Sequence, residues 1–91
     1  MRVMNAEELA ARLSGAIAPR DAIMRRLIDV GEPVAAIIDL MEKAATERVA
    51  VPPELLAEVE QMIGDGDFDE VDARSVSEDV AVLRTRAVST S

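Results

Sequence analysis

The chain has 91 residues, of which 49% are apolar, with one aromatic side chain, no cysteine and a formal net charge of −8. That length accommodates one hydrophobic core and not two, and the lack of thiols excludes disulfides and thiolate metal sites. No apolar run approaches the roughly 18 residues that a membrane span needs, so no spanning segment is expected.

Asn5 followed by Glu8 has the spacing of a capping box, and Leu9, Leu13, Ala16 and Ile17 follow at helical intervals. A first helix is predicted over 6–17. Pro19 suits the first position of a second helix, whose apolar face is Ile23, Met24, Leu27 and Ile28 and which Gly31 closes. Pro33 opens a third helix after a connection of one or two residues, so the chain turns a sharp corner there. Val34, Ile37, Ile38, Met41 and Ala45 form the main stripe of this helix. Ala35, Ala36, Leu40 and Ala44 widen it until little polar surface is left.

In "ERVAVPP" the apolar side chains alternate, and residues before proline favour extended geometry. A short strand or extended linker is expected around 47–51. Pro53 then starts a fourth helix with Leu55, Leu56, Val59, Met62 and Ile63 on one side, ended by Gly64. The run "DGDFDEVD" reads as a loop. Ser75 with Glu78 forms a second capping-box pattern, ahead of a fifth helix over 75–88, although "VAVLRTRAV" also fits strand periodicity. Residues 89–91 read as a tail. The expected fold is all-α, a small bundle of four or five helices. It is taken as one domain over 1–88 with its core in 5–64 and the third helix packed by the first, second and fourth.

Fifteen alanines supply much of the apolar fraction. At about 25 cal/mol per Å² of buried apolar surface, a core of Ala, Val, Leu and Ile leaves a thin margin over chain entropy. Association with another chain, identical or not, is the expected remedy. Met24, Met41 and Met62 suit either a core or an adaptable contact surface.

Reactive groups are scarce. There is no His, Cys, Tyr or Trp, and Lys43 is the single lysine, so general bases and activated nucleophiles are missing and no catalytic role is expected. The run Asp65, Asp67, Asp69 invites comparison with a calcium loop, which needs Gly at its sixth position and Glu at its twelfth. Counted from Asp65 these are Glu70 and Val76, so neither a metal nor a cofactor is expected. Phe68, inside that run, reads first as an anchor onto the core and second as an exposed contact.

Charge divides the chain. Residues 1–51 carry seven basic and eight acidic side chains, whereas 52–91 carry three and ten. An acidic half repels phosphate and anionic lipid, so nucleic acid and membrane are poor partners and a basic protein surface is a good one. Glu7, Glu8 and Arg12 interrupt any signal-peptide core after Arg2, and a cytoplasmic location is expected. Nine arginines against one lysine fit a GC-rich bacterial genome.

Size and acidity resemble acyl carrier proteins, whose modified serine sits in Asp-Ser-Leu. Ser75 and Ser77 in "ARSVSED" do not match that motif. A helix-turn-helix through the second and third helices would need polar side chains on "PVAAIIDLM", which offers Asp39 and nothing basic. The stretch "ERVAVPPELLAEVEQMIGDGDF" followed by "SVSEDVAVLRTRA" resembles the ribbon-helix-helix family of DNA-binding regulators and antitoxins. The resemblance implies Arg48 and Ala50 facing DNA, Val49 and Val51 facing inward, and Gly64 or Gly66 in the turn. Against that pattern, the ribbon has one basic residue and the interhelix turn is long.

The leading expectation is a non-enzymatic interaction module, an adaptor, chaperone-like or regulatory subunit. Ile37, Ile38, Leu40 and Met41 would make the apolar contact. Asp65, Asp67, Phe68, Asp69, Glu70 and Asp72 would meet a basic partner, the carboxylates acting mostly through association rate. A ribbon-helix-helix regulator or antitoxin is the alternative, and an acidic mimic of nucleic acid that inhibits a basic protein is the third.

Overall fold

The computed structural model describes residues 4–89, with side chains through Thr85. Five helices occur among them: α1 (Ala6–Ile17), α2 (Ala22–Asp29), α3 (Pro33–Glu47), α4 (Pro53–Asp65) and α5 (Glu70–Ser89). The expected all-α bundle is what forms, and no strand occurs among the described residues.

α1 begins as its sequence requires. The Asn5 side chain accepts the Glu8 N–H at 2.8 Å, satisfying one of the donors that a helix start leaves free. Its inner face is Leu9, Ala10, Leu13, Ser14 and Ile17. α2 starts later than expected. Pro19 and Arg20 form a turn, and Asp21 caps the helix by accepting the Met24 N–H at 3.1 Å. A carboxylate acceptor three residues before a free donor outweighs proline's preset φ here. Met24 is buried, Leu27 and Ile28 are half-buried, and Ile23, expected on the same face, points outward.

Gly31 (φ +84°) closes α2, and the Glu32 N–H reaches back to the Leu27 carbonyl at 2.9 Å. α3 then starts at Pro33, as expected. It runs on to Glu47, and of the strand or linker expected around 47–51 the linker is what forms, as the irregular segment 48–52. Arg48 ends it in the left-handed conformation (φ +60°), with its N–H on the Ala44 carbonyl.

The largest departures lie near the acidic run. α4 does not stop at Gly64 but continues to Asp65, and Gly66 (φ +80°) is the residue that turns the chain. The Asp67 N–H bonds the Met62 carbonyl at 3.1 Å, completing the cap. α5 begins at Glu70 and not at 75. Asp69 is its cap, accepting the Asp72 N–H on Oδ1 at 2.8 Å, while Ser75 is an exposed residue of the second turn. Glu70 and Asp72 then occupy the first turn, where the helix dipole favours negative charge.

α3 lies at the centre, packed by α1, α2 and α5, while α4 packs on α1 and α5. The expected place of the fourth helix against α3 is therefore taken by the fifth. The buried side chains form one cluster drawn from all five helices together with Val51 and Phe68. A radius of gyration of 12.1 Å matches the roughly 12 Å expected of a folded chain this long. The N-terminal end is tied across the bundle by the Met4 N–H on Glu58 Oε1 at 3.1 Å.

Candidate functional site

The residues expected to form the apolar contact serve the core instead. Ile37, Leu40 and Met41 are 0% exposed and Ile38 is half-buried. The cause is the packing of α1, α2 and α5 around α3, which satisfies the broad apolar stripe within one chain. A partner could reach those three side chains only by displacing a helix.

The acidic group behaves differently. Asp65, Asp67, Asp69 and Glu70 are exposed and Asp72 is half-buried, all at the corner where α4 gives way to α5. The chain brings them together because Gly66 turns sharply and Asp69 starts the next helix four residues after α4 ends. Asp65 accepts a hydrogen bond from Gln61 Nε2 at 3.4 Å. Partial burial, then the charge of Asp69 and a hydrogen bond with it, hold the Asp72 carboxyl above its ordinary range. Phe68 is not on this surface. It is buried in the core cluster, the anchor of the two readings, and it pins the corner to the bundle.

One residue of this corner was not legible as a contact. Val71 is 77% exposed. At 3.6 residues per turn it lies about 180° round α5 from Val80, opposite the buried line of Val76, Val80 and Leu83. The signal was present in that spacing, but it is readable only when the helix is started at 70. Two more apolar side chains stand out on α2, Ile23 at 76% and Val30 at 65% exposed. Arg20 and Arg26 are exposed nearby.

Two concave features among the described residues hold little chemistry. An open groove of about 350 Å³ between α2 and α3 is lined by Asp21, Met24, Asp39, Glu42, Lys43, Thr46 and Glu47. Its one amine, Lys43, bonds Glu47 at 2.9 Å, and that hydrogen bond raises its pKa above the ordinary 10.5. A nucleophilic lysine needs the reverse shift. A smaller cavity of about 100 Å³ is lined by Ser14, Arg25 and Asp29, with neither histidine nor lysine in its lining to activate the serine. No group of three His, Cys, Asp or Glu side chains is placed to hold a metal ion among the described residues. Nor, among them, is any helix long and apolar enough to cross a membrane.

In segment 48–51, Arg48 and Ala50 are exposed, Val49 is half-buried and Val51 is buried. That alternation is the one the ribbon-helix-helix resemblance implies. However, Val51 packs into the chain's own core, and the Val49 N–H is already bonded to the Ala44 carbonyl at 3.0 Å.

No family model, characterised protein or solved structure matches the chain. Its own geometry therefore carries the functional argument.

Proposed function

We propose that the chain is a non-enzymatic docking module of the cytoplasm, an adaptor or regulatory subunit that binds a basic protein surface through its α4–α5 corner. The observation that carries this reading is Val71, an apolar side chain left 77% exposed in a corner with Asp65, Asp67, Asp69, Glu70 and Asp72. Interfaces concentrate affinity in a few apolar anchors, while charges around them steer the encounter and reject wrong partners. Val71 fits the first role and the carboxylates the second. The apolar contact thus moves from α3 to the start of α5, while the acidic steering stays where the sequence put it.

The test is capture of partners from a native lysate by wild type, Val71→Ser and the double variant Asp67→Asn/Glu70→Gln, each checked for helicity by circular dichroism. A partner retained by wild type, weakened by both variants and released by rising salt supports the corner as the contact. Equal capture by all three proteins rules it out. Self-association through α2 is a second reading, favoured by the exposure of Ile23 and Val30. Light scattering on Ile23→Ser, compared with wild type, decides it.

A further inference from the structure

The packing between α3 and α5 leaves one polar group without compensation. Asp79 follows Val76 by three residues and precedes Leu83 by four, so it shares the side of α5 that faces the bundle. Asp79 is half-buried as a residue, but its Oδ2 atom is fully buried and has no hydrogen-bond partner among the described residues. A carboxylate oxygen in that position loses its water without gaining a donor, and such groups are stable only when paired or neutralised.

Among the described residues no cation is placed to do this. The charged groups that act on Asp79 are Glu42, across the seam on α3, and Glu78 beside it on α5. α4, the other helix packed on α5, directs Glu60 at Arg84, whose Nε donates to Oε2 at 3.2 Å. Lys43 adjoins Glu42 in sequence but bonds Glu47 at 2.9 Å. Burial first, then the two neighbouring carboxylates, raise the Asp79 pKa above its ordinary value.

We propose that the α3–α5 seam is a pH-responsive joint, in which protonated Asp79 lets α5 close on α3 and ionised Asp79, opposite Glu42, loosens it. A carboxyl whose pKa is higher folded than unfolded binds more protons in the folded state, so docking of α5 strengthens as pH falls through the folded value. The cost of the ionised group is fully present above that value. This is opposite in sign to a salt-bridged aspartate, which stabilises at neutral pH and fails in acid. Loosening the joint uncovers Val76, Val80, Leu83 and the part of α3 beneath them, so apolar surface would be withheld below the folded pKa of Asp79 and released above it.

The test is hydrogen–deuterium exchange by mass spectrometry on the full chain from the ordinary carboxylate range up to neutrality, pH 3.5 to 7.5, corrected for intrinsic exchange rates. The α5 peptides are compared with those of α1 in wild type, Asp79→Asn and Glu42→Lys. In wild type, the opening equilibrium of α5 should rise about fivefold or more across this range, the low end of what an unsatisfied buried polar group costs, while α1 stays level. Asp79→Asn should hold α5 closed at pH 7.5 and remove the pH dependence. Glu42→Lys, which supplies the missing cation, should also close α5 at pH 7.5. A level wild-type profile, or α5 opening more in Asp79→Asn at pH 7.5, overturns the proposal. If Asp79→Asn fails to fold, Glu42→Lys decides alone, and unchanged or greater opening in it is equally fatal.

Discussion

Replacing Leu40 by alanine separates a core role for α3 from a docking role. Leu40 is fully buried in the central helix. The substitution removes three carbons, worth about 0.8 kcal/mol each in lost transfer free energy. The cavity left behind adds to that, and buried Leu→Ala changes fall in a range of about 2.7–5.0 kcal/mol. A loss of about 3 kcal/mol is therefore expected from a total stability of roughly 5–14 kcal/mol for a chain this long. In urea, with a slope of about 1–3 kcal/mol per molar, the midpoint should fall by about 1–3 M. Val71→Ala, at a site 77% exposed, should stay within about 0.5 kcal/mol of wild type. Both are measured by circular dichroism at the helical band, with subunit mass followed in parallel. A cost below about 1 kcal/mol for Leu40→Ala, accompanied by loss of a partner or an oligomer, would refute the burial of α3 at the centre of the bundle. It would restore the face of Ile37, Leu40 and Met41 as the contact.

Two further pairs of substitutions test the boundaries that shape the acidic corner. Gly64 lies inside α4 without a positive φ and with open space where a side chain would go, so Gly64→Ala should stabilise by about 0.5–1 kcal/mol. Gly66 sits at φ +80°, and Gly66→Ala should destabilise by about 1 kcal/mol or more in the same urea titration. Asp69→Ala removes the acceptor for the Asp72 N–H and should cost about 0.5–2 kcal/mol, with fraying of the first turn of α5 visible in amide exchange. Ser75→Ala, at an exposed position inside the helix, should leave both measurements unchanged.

Much of the fold was legible because its punctuation is local. Asn5 caps α1, Gly31 closes α2, and Pro33 and Pro53 open α3 and α4, each decided by a residue's own φ or side-chain acceptor within three positions. The misreadings share a cause. At Pro19, Gly64 and Ser75 a plausible signal stood within a few residues of a better one, and spacing alone does not rank two competing caps. Asp21, Gly66 and Asp69 win because each satisfies otherwise free backbone groups, either through its own carboxylate or, for Gly66, by the left-handed turn that lets the chain's own N–H groups close the end of α4. The acidic residues of the site were found because charge is visible in composition. The exposure of Val71 was not, because it depends on which residue begins α5. The burial of Ile37, Leu40 and Met41 depended on something no local pattern contains, namely which of two later helices lies against α3.

That last choice connects the chain's composition to its proposed role. A core with one aromatic and many alanines gains little from each buried residue, and two remedies were open: cover the apolar helix with a partner, or cover it with more of the same chain. The structure takes the second, through Phe68, Val76, Val80 and Leu83. It does so with a helix whose first turn must start inside the acidic run, since only Asp69 there offers its cap. Starting α5 at that point brings the carboxylates and Val71 onto one corner, while the packing of its middle turns on α3 places Asp79 in the seam. The proposed docking corner therefore follows from the extension of α5 toward its N-terminus, and the proposed joint from the docking of the same helix on α3. A variant that moved the start of α5 back to Ser75 would be expected to lose the corner and keep the seam.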